Sequence, residues 1–292
     1  MDPGSQLVEI LLWGVATGCV YVLLAAGLNI IFGVMKLVNF AHGELLMIGA
    51  FISYSFTVSV GLNAYGSVIV AMALVAIIGI VVERLCFRKV LGKEKLNEII
   101  VSLGLIYFFV NTTVLLWGDK SRKIVSPFEN LVIPITGSAF INYDRIIAIL
   151  IVSVALIGLF LLIKKTKIGL AMRATSQRTD TSKLMGINVN KVYMFSFALG
   201  AALAGAAGAI YGIIFTFNPH IGALPTIKAF AIIILGGLGS IPGAVVGGLL
   251  YGIAENGATI LLGGIWQDAV AFIVLIAVLV LRPTGLFGQK GE

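Results

Sequence analysis

The sequence predicts an all-α fold: a single membrane domain over residues 1–292, built as a polytopic bundle of about eight or nine transmembrane helices, with interrupted spans and a helical loop on the cytoplasmic side. Three observations carry this. The chain is 59% hydrophobic and 11% charged, where soluble domains carry about 25% charged residues. Its apolar residues run continuously over the roughly 20 positions a helix needs to cross a bilayer core, rather than alternating over the about ten of a barrel strand. Twelve of the twenty Lys and Arg residues fall in two loops.

In chain order the candidate spans are Leu7–Ile31, Glu44–Val60, Ala64–Val82, Ile99–Trp117, Ile146–Ile163, Val192–Phe217, Ile227–Asn256 and Asp268–Leu281. Ile227–Asn256 is interrupted by glycines and Pro242, and counting it as two gives nine. Leu7–Ile31 lacks the basic flank and small-residue cleavage site of a signal peptide, so it reads as a retained span.

The net charge of +7 argues for topology, not for a nucleic-acid partner, because of where it sits. Arg84, Arg88, Lys89, Lys93 and Lys95 form one cluster. Lys164, Lys165, Lys167, Arg173, Arg178, Lys183 and Lys191 form the other. Two candidate spans separate the clusters, which puts both on one side, and the positive-inside rule makes that side cytoplasmic. Gly118–Asp144 then faces outward with mixed charge. The absence of Lys and Arg before Lys36 favours an external N-terminus, while Arg282 and Lys290 favour a cytoplasmic C-terminus. Cys19 and Cys86 fall at different depths, so no disulfide is expected, and two Cys with two His make no metal site.

Glycine, with 35 residues, marks both packing and breaks. The pairs Gly208 and Gly212, Gly239 and Gly243, Gly243 and Gly247, and Gly248 and Gly252 are spaced to bring helices close along one face. Two interruptions, Gly33–Gly43 and Gly236–Gly243, each follow an Ile-rich run. Interrupted apolar segments in corresponding places of two halves point to an internal repeat and a midplane route.

The long polar stretch Thr166–Lys191 reads TKIGLAMRATSQRTDTSKLMGINVNK. Asp180 is expected to N-cap a short helix over Thr181–Met185, with Gly186 at the position that terminates it. Gly169–Gln177 reads as a second short helix. Helices this short need support from the bundle or from a partner. Leu184, Met185 and Ile187 give the loop an apolar side, which marks a docking surface.

Ionisable groups at membrane depth face a cavity or a partner. Glu44, Lys228 and Glu255 are the candidates, with His42, Asn29, Asn39 and Asn256 as polar neighbours. Of these, Asn39, His42, Glu44 and Glu255 are taken as the candidate lining of a translocation path. Glu44 opens a helix, where its charge meets the favourable end of the dipole. His42 reads as a hydrogen-bonded turn residue. Glu255 and Asn256 fall near a span's end and are expected at the interface, and Lys228 is expected to snorkel outward.

Arg173-Ala-Thr-Ser-Gln-Arg-Thr-Asp180 and Lys183-Leu-Met-Gly-Ile-Asn-Val189 resemble the coupling loop of branched-chain amino acid ABC transporter permeases of the LivH type. Gly27-Leu-Asn-Ile-Ile-Phe-Gly33 and Val38-Asn-Phe-Ala-His-Gly-Glu44 are similar to that family's N-terminal signature. Ala201–Gly212, Lys228-Ala-Phe230 and Gly236-Gly-Leu-Gly-Ser-Ile-Pro-Gly-Ala-Val-Val-Gly-Gly248 resemble its C-terminal half. Thr181-Ser-Lys183 departs from the Ala-rich, acidic-led turn common there. The resemblance implies a non-catalytic importer subunit in a prokaryotic plasma membrane, carrying leucine, isoleucine or valine delivered by an external solute-binding protein. It implies a second homologous permease and two cytoplasmic ATPases as partners, with lipid around them, no nucleic acid and no cofactor in this chain. Arg173, Asp180, Leu184, Met185, Gly186 and Ile187 would carry the ATPase contact. The chain has no Gly-rich phosphate loop ending in Lys-Ser or Lys-Thr, so the energy must come from another chain.

A urea or short-chain amide importer is the alternative within this class. An ion-coupled carrier using Glu44 and Glu255, or a passive channel lined by glycine-rich helices, would be a different class. Neither needs a docking helix on the cytoplasmic side.

Overall fold

Hydrocarbon offers backbone groups no partners, so a spanning chain must satisfy them within helices, and helices dominate here. The computed structural model describes residues 3–136, 139–282 and 285–287. Helix α1 runs Pro3–Met35 and α2 His42–Ser59. Helix α3 runs Gly66–Val90, passing through a π-helical turn at Glu83–Phe87. Helix α4 (Lys95–Trp117) and α5 (Tyr143–Lys165) flank the outer loop. Two short helices follow, α6 (Lys167–Gln177) and α7 (Thr179–Leu184). The C-terminal half holds α8 (Val189–Ile214), α9 (Ala223–Gly236), α10 (Ile241–Leu262) and α11 (Gln267–Leu281). Six of the helices are long and apolar enough, by length and composition, to cross a membrane: α1, α3, α4, α5, α8 and α10.

The expectation of an all-α chain needs one correction. Val132–Thr136 (β1) and Ala139–Asn142 (β2) form an antiparallel hairpin in the outer loop, with Val132 opposite Asn142 and Ile133 opposite Ile141. Val132, Ile133, Ile135 and Thr136 are β-branched, and such residues favour a pleated surface. The loop is tied down at several points. Arg122 pairs with Phe217 across a β-bridge. Both Tyr65 and Ser126 donate hydroxyl hydrogen bonds of 2.5 Å to Asp144.

The core is α1 wedged between α8 and α10, with residues 16–31 of α1 buried throughout. Glycine permits the close approach. A Cβ on Gly208 would lie 1.8 Å from the Leu46 carbonyl oxygen on α2. One on Gly248 would meet Val22 of α1 at 2.5 Å. The spacing of small residues therefore does mark packing faces, with one exception. Gly239 and Gly243 do not share a helix face, because Gly239 lies in the break before α10 with φ +84°. Helices α4 and α5 are peripheral, presenting side chains such as Leu103, Tyr107, Leu150 and Val154 outward. Cys19 and Cys86 are both free thiols. Lys290, one of the two charges suggesting a cytoplasmic C-terminus, lies outside the described residues.

Candidate functional site

Both sequence interruptions are real breaks, and α1 touches each. The chain leaves α1 at Met35, turns through Lys36 with φ +54°, and starts α2 only at His42. His42 Nε2 donates to the Leu24 carbonyl at 3.2 Å. Leu24 is about three turns, or ~16 Å, back along α1 from Met35. Residues 36–41 thus carry the chain back alongside α1, so α2 begins well inside the bundle. The loop's polar groups are met internally. Glu98 accepts from the Val38 N–H at 3.3 Å, and Asn39 accepts from the Ala41 N–H at 3.0 Å. Lys95 donates to the Lys36 carbonyl at 2.6 Å.

At the start of α2, Gly43 N–H donates to Thr226 Oγ1 at 2.9 Å. Glu44 is buried in the first helical turn. Its carboxylate packs against Gly222, where an added Cβ would lie within 2.4 Å of it. Among the described residues no Lys, Arg or His approaches Glu44 within ion-pair distance. The expected placement at a helix start holds, and the residue is deep rather than peripheral.

The second break lies between α9 and α10. Asn29 of α1 reads its backbone as a strand would: Nδ2 donates to the Ser240 carbonyl at 2.8 Å, and Oδ1 accepts from the Gly239 N–H at 2.7 Å. Ser240 caps α10 by accepting from the Gly243 N–H at 3.1 Å. The opposite side of the break is closed by residues 285–287. Leu286 and Phe287 donate their N–H groups to Leu235 and Gly236 at 2.8 and 3.0 Å, satisfying the last carbonyls of α9. Beneath the break opens a cavity of about 620 Å³ whose lining includes Asn29, Lys36, Lys164, Arg173, Gly239 and Ser240.

Two expectations are corrected at the next cluster. Lys228 does not snorkel and Glu255 is not interfacial, because each is buried against the other, Nζ to Oε1 at 2.8 Å. Lys228 also reaches Asp268 at 2.8 Å. Tyr21 donates to Glu255 at 3.1 Å, and the Gln267 side-chain amide donates to the same oxygen. This network joins α1, α9, α10 and α11. Tyr21, Gln267 and Asp268 were not singled out from the sequence. The only local signal for them is the Gln-Asp pair opening an otherwise apolar run. Asn256 bonds the Gly252 carbonyl within its own helix at 2.9 Å. Gly43 and Glu44 thus meet α9 at Thr226 and at Gly222 before its first turn, while Glu255 meets it at Lys228.

The polar loop holds two short helices, as expected, but only the first carries a side-chain N-cap. Thr166 Oγ1 accepts from the Gly169 N–H at 3.0 Å and caps α6. Asp180 does not cap α7. The helix begins at Thr179, two residues before the expected Thr181, and Arg178 occupies the cap position without a side-chain bond. Asp180 sits in the first turn, 95% exposed, 3.3 Å from Lys183. The C-terminal stop is as read: Gly186 has φ +80°. Its N–H donates to Lys183, and Ile187 N–H donates to Ser182, both at 3.0 Å. These are the paired bonds of a Schellman stop. Leu184 and Met185 are 88% and 78% exposed, while Ile187 packs against the core. Met172 is buried and Arg173 exposed.

Breaks held inside a bundle of long apolar helices, with two short helices in a polar loop, fit a multi-pass membrane protein. The chain belongs to the family described as branched-chain amino acid transport system, permease component, which matches residues 10–279. It is similar to the high-affinity branched-chain amino acid transport system permease protein BraD of Pseudomonas aeruginosa, 35% identical over 288 residues and 94% of each chain. The permease protein LivH of Escherichia coli is 33% identical over 289 residues, again 94% of each. A probable LivH of Methanocaldococcus jannaschii is 31% identical over 282 residues, covering 91% of this chain and 88% of that one. No solved structure matches. The protein is a multi-pass plasma-membrane protein of a transport family.

Proposed function

We propose that this chain is a non-catalytic permease subunit of an ATP-driven importer for branched-chain amino acids, working with a homologous second permease, two cytoplasmic ATPases and an external solute-binding protein. The observation that carries the reading is the exposed apolar tip of α7 on the side marked by the basic loops. Burying a Leu or Met side chain contributes about 1.5–3 kcal/mol, so Leu184 and Met185 together offer an ATPase about 3–6 kcal/mol of grip. Arg173, Asp180, Gly186 and Ile187 complete the contact: two charges, a rigid stop and an anchor to the bundle.

Nine crossings fit the helix order. The six long helices supply six, and α2, α9 and α11, each entered through a break or a tight turn, supply three more. Nine crossings with α3 and α5 ending in basic loops leave the N-terminus outside and the C-terminus inside. The whole of 1–292 then works as one membrane domain, with 166–191 as its coupling loop. Asn39, His42 and Glu44 at the first break, and Glu255 beside Lys228, border the route. Alternating access requires a contact that differs between two states, and closure of the ATPases on α7 supplies one.

The test is to purify the assembled complex and measure which solute-loaded binding protein stimulates ATP hydrolysis. Leucine, isoleucine or valine should do so, and urea or short amides should not. Leu184→Asp should abolish the stimulation while the chain still inserts. Normal uptake by that variant would remove α7 from the mechanism.

A further inference from the structure

We propose that this chain binds an anionic phospholipid of the cytoplasmic leaflet in a cavity beside the coupling loop. The cavity, about 540 Å³, lies where the π-turn of α3, the amphipathic α6 and the first turns of α8 meet. Its rim carries Arg84, Arg88 and Lys191, and no acidic side chain lines it. Its wall is apolar, formed by Ile168 of α6 with Val192, Met194 and Phe195 of α8. A basic rim above an apolar wall, at the cytoplasmic ends of spans, fits a phosphate headgroup with its acyl chains.

One of the three rim charges is neutralised within the chain and the other two are not. Glu83 is buried and takes both its oxygens to Arg88, at 2.9 and 2.7 Å, so that pair is neutral. Arg88 also donates to the Asn190 carbonyl at 3.2 Å, which fixes the rim against α8. Arg84 and Lys191 are exposed, and among the described residues neither has an acidic partner. The π-turn widens the helix at this point, a feature that recurs at functional sites. The expected occupant is a monoanionic or dianionic glycerophospholipid, held by two free cations and by contact with Ile168 and Phe195. Because α6 forms one wall, the lipid would brace the loop that carries α7.

The test uses the chain co-expressed with its partner subunits, extracted gently and examined by native mass spectrometry after exchange into defined lipid. Wild-type protein should retain phosphatidylglycerol in preference to phosphatidylcholine. Arg84→Gln and Lys191→Gln, both exposed substitutions, should each weaken retention by about fivefold, as expected for one basic residue at the headgroup level. Ile168→Asn tests the apolar wall separately and should weaken lipid retention with the rim charges intact. Two outcomes would overturn the proposal. Displacement of the lipid by millimolar inorganic phosphate alone would make this a free-anion site. Loss of the ATPase subunits from the rim variants, with lipid retention unchanged, would make the rim a protein interface.

Discussion

Lys228 and Glu255 hold each other at 2.8 Å with both side chains buried, and they draw Tyr21 and Asp268 into the same knot. Breaking a buried pair by removing one partner strands the other charge, at about 3–5 kcal/mol, whereas replacing both with apolar groups is often neutral. Lys228→Met strands the buried Glu255, whereas Glu255→Leu leaves Lys228 its second partner Asp268, so Lys228→Met should lower the thermal unfolding midpoint of the purified protein sharply. The Lys228→Met, Glu255→Leu double variant should recover most of that loss. Equal instability of single and double variants would show that the pair does not act as a unit.

The same knot shows what a sequence can and cannot reveal. The helices and both breaks were legible because continuous apolar runs and glycine-proline interruptions are local signals. The partners of Lys228 were not, since Tyr21 lies 207 residues from it and Glu255 lies 27 residues away on another helix. Read alone, Lys228 had only the interface available as an escape from hydrocarbon, and Glu255 only its nearness to a span's end. At α7 the local reading erred by two residues. Asp180 has the better capping chemistry, but Arg178 has the extended backbone, φ −147° and ψ 102°, that a cap position takes. The hairpin was missed because its strands are short and sit in a loop of mixed charge.

Asn29 supplies both a donor and an acceptor to the second break, at 2.8 and 2.7 Å. Asn29→Leu removes both bonds, and because Gly239 is exposed and Ser240 only half-buried each loss should cost about 0.5–1.5 kcal/mol. Asn29→Asp still accepts from Gly239 but cannot donate to Ser240. The expected order of thermal stability is wild type, then Asp, then Leu. A stable Leu variant with normal uptake would mean the break is held by its own turn alone.

Gly186 holds φ +80° at the end of α7. Placing an L side chain in the left-handed region costs roughly 1–2 kcal/mol, less for Asn, which tolerates it. Gly186→Ala should loosen the stop and reduce ATP-driven uptake, and Gly186→Asn should retain more of it. Uptake assays in membranes, with the amount of assembled complex as control, separate coupling from assembly. Equal uptake by Ala and Asn would disconnect the backbone geometry from coupling.

Glu44 is buried beside Gly222 with no basic side chain in reach among the described residues. Glu44→Gln keeps the volume and removes the charge. If the carboxylate borders the route, uptake should fall by roughly tenfold or more, a barrier change of about 1.4 kcal/mol, with complex yield unchanged. Uptake within twofold or so of wild type would leave Glu44 with only its favourable place at a helix start.

Two helical glycines make a matched pair. At Gly208 an added Cβ would lie 1.8 Å from the Leu46 carbonyl oxygen and 2.9 Å from the Ala50 nitrogen, both backbone atoms of α2. Neither can rotate away, so α2 and α8 would have to separate, dragging the break at His42 and its Leu24 contact with them. At Gly158 of α5 nothing lies within 4 Å of the added carbon. There alanine gains its usual helical advantage of about 0.8–1.0 kcal/mol over glycine. Gly208→Ala should give little folded protein, and any that forms should unfold at lower temperature. Gly158→Ala should match or exceed wild type in yield and thermal stability. Because the two substitutions add the same methyl group to a helix of the same bundle, the difference between them measures the α2–α8 approach. If Gly208→Ala folds and transports normally, these helices do not need to touch, and the depth assigned to the start of α2 fails with them.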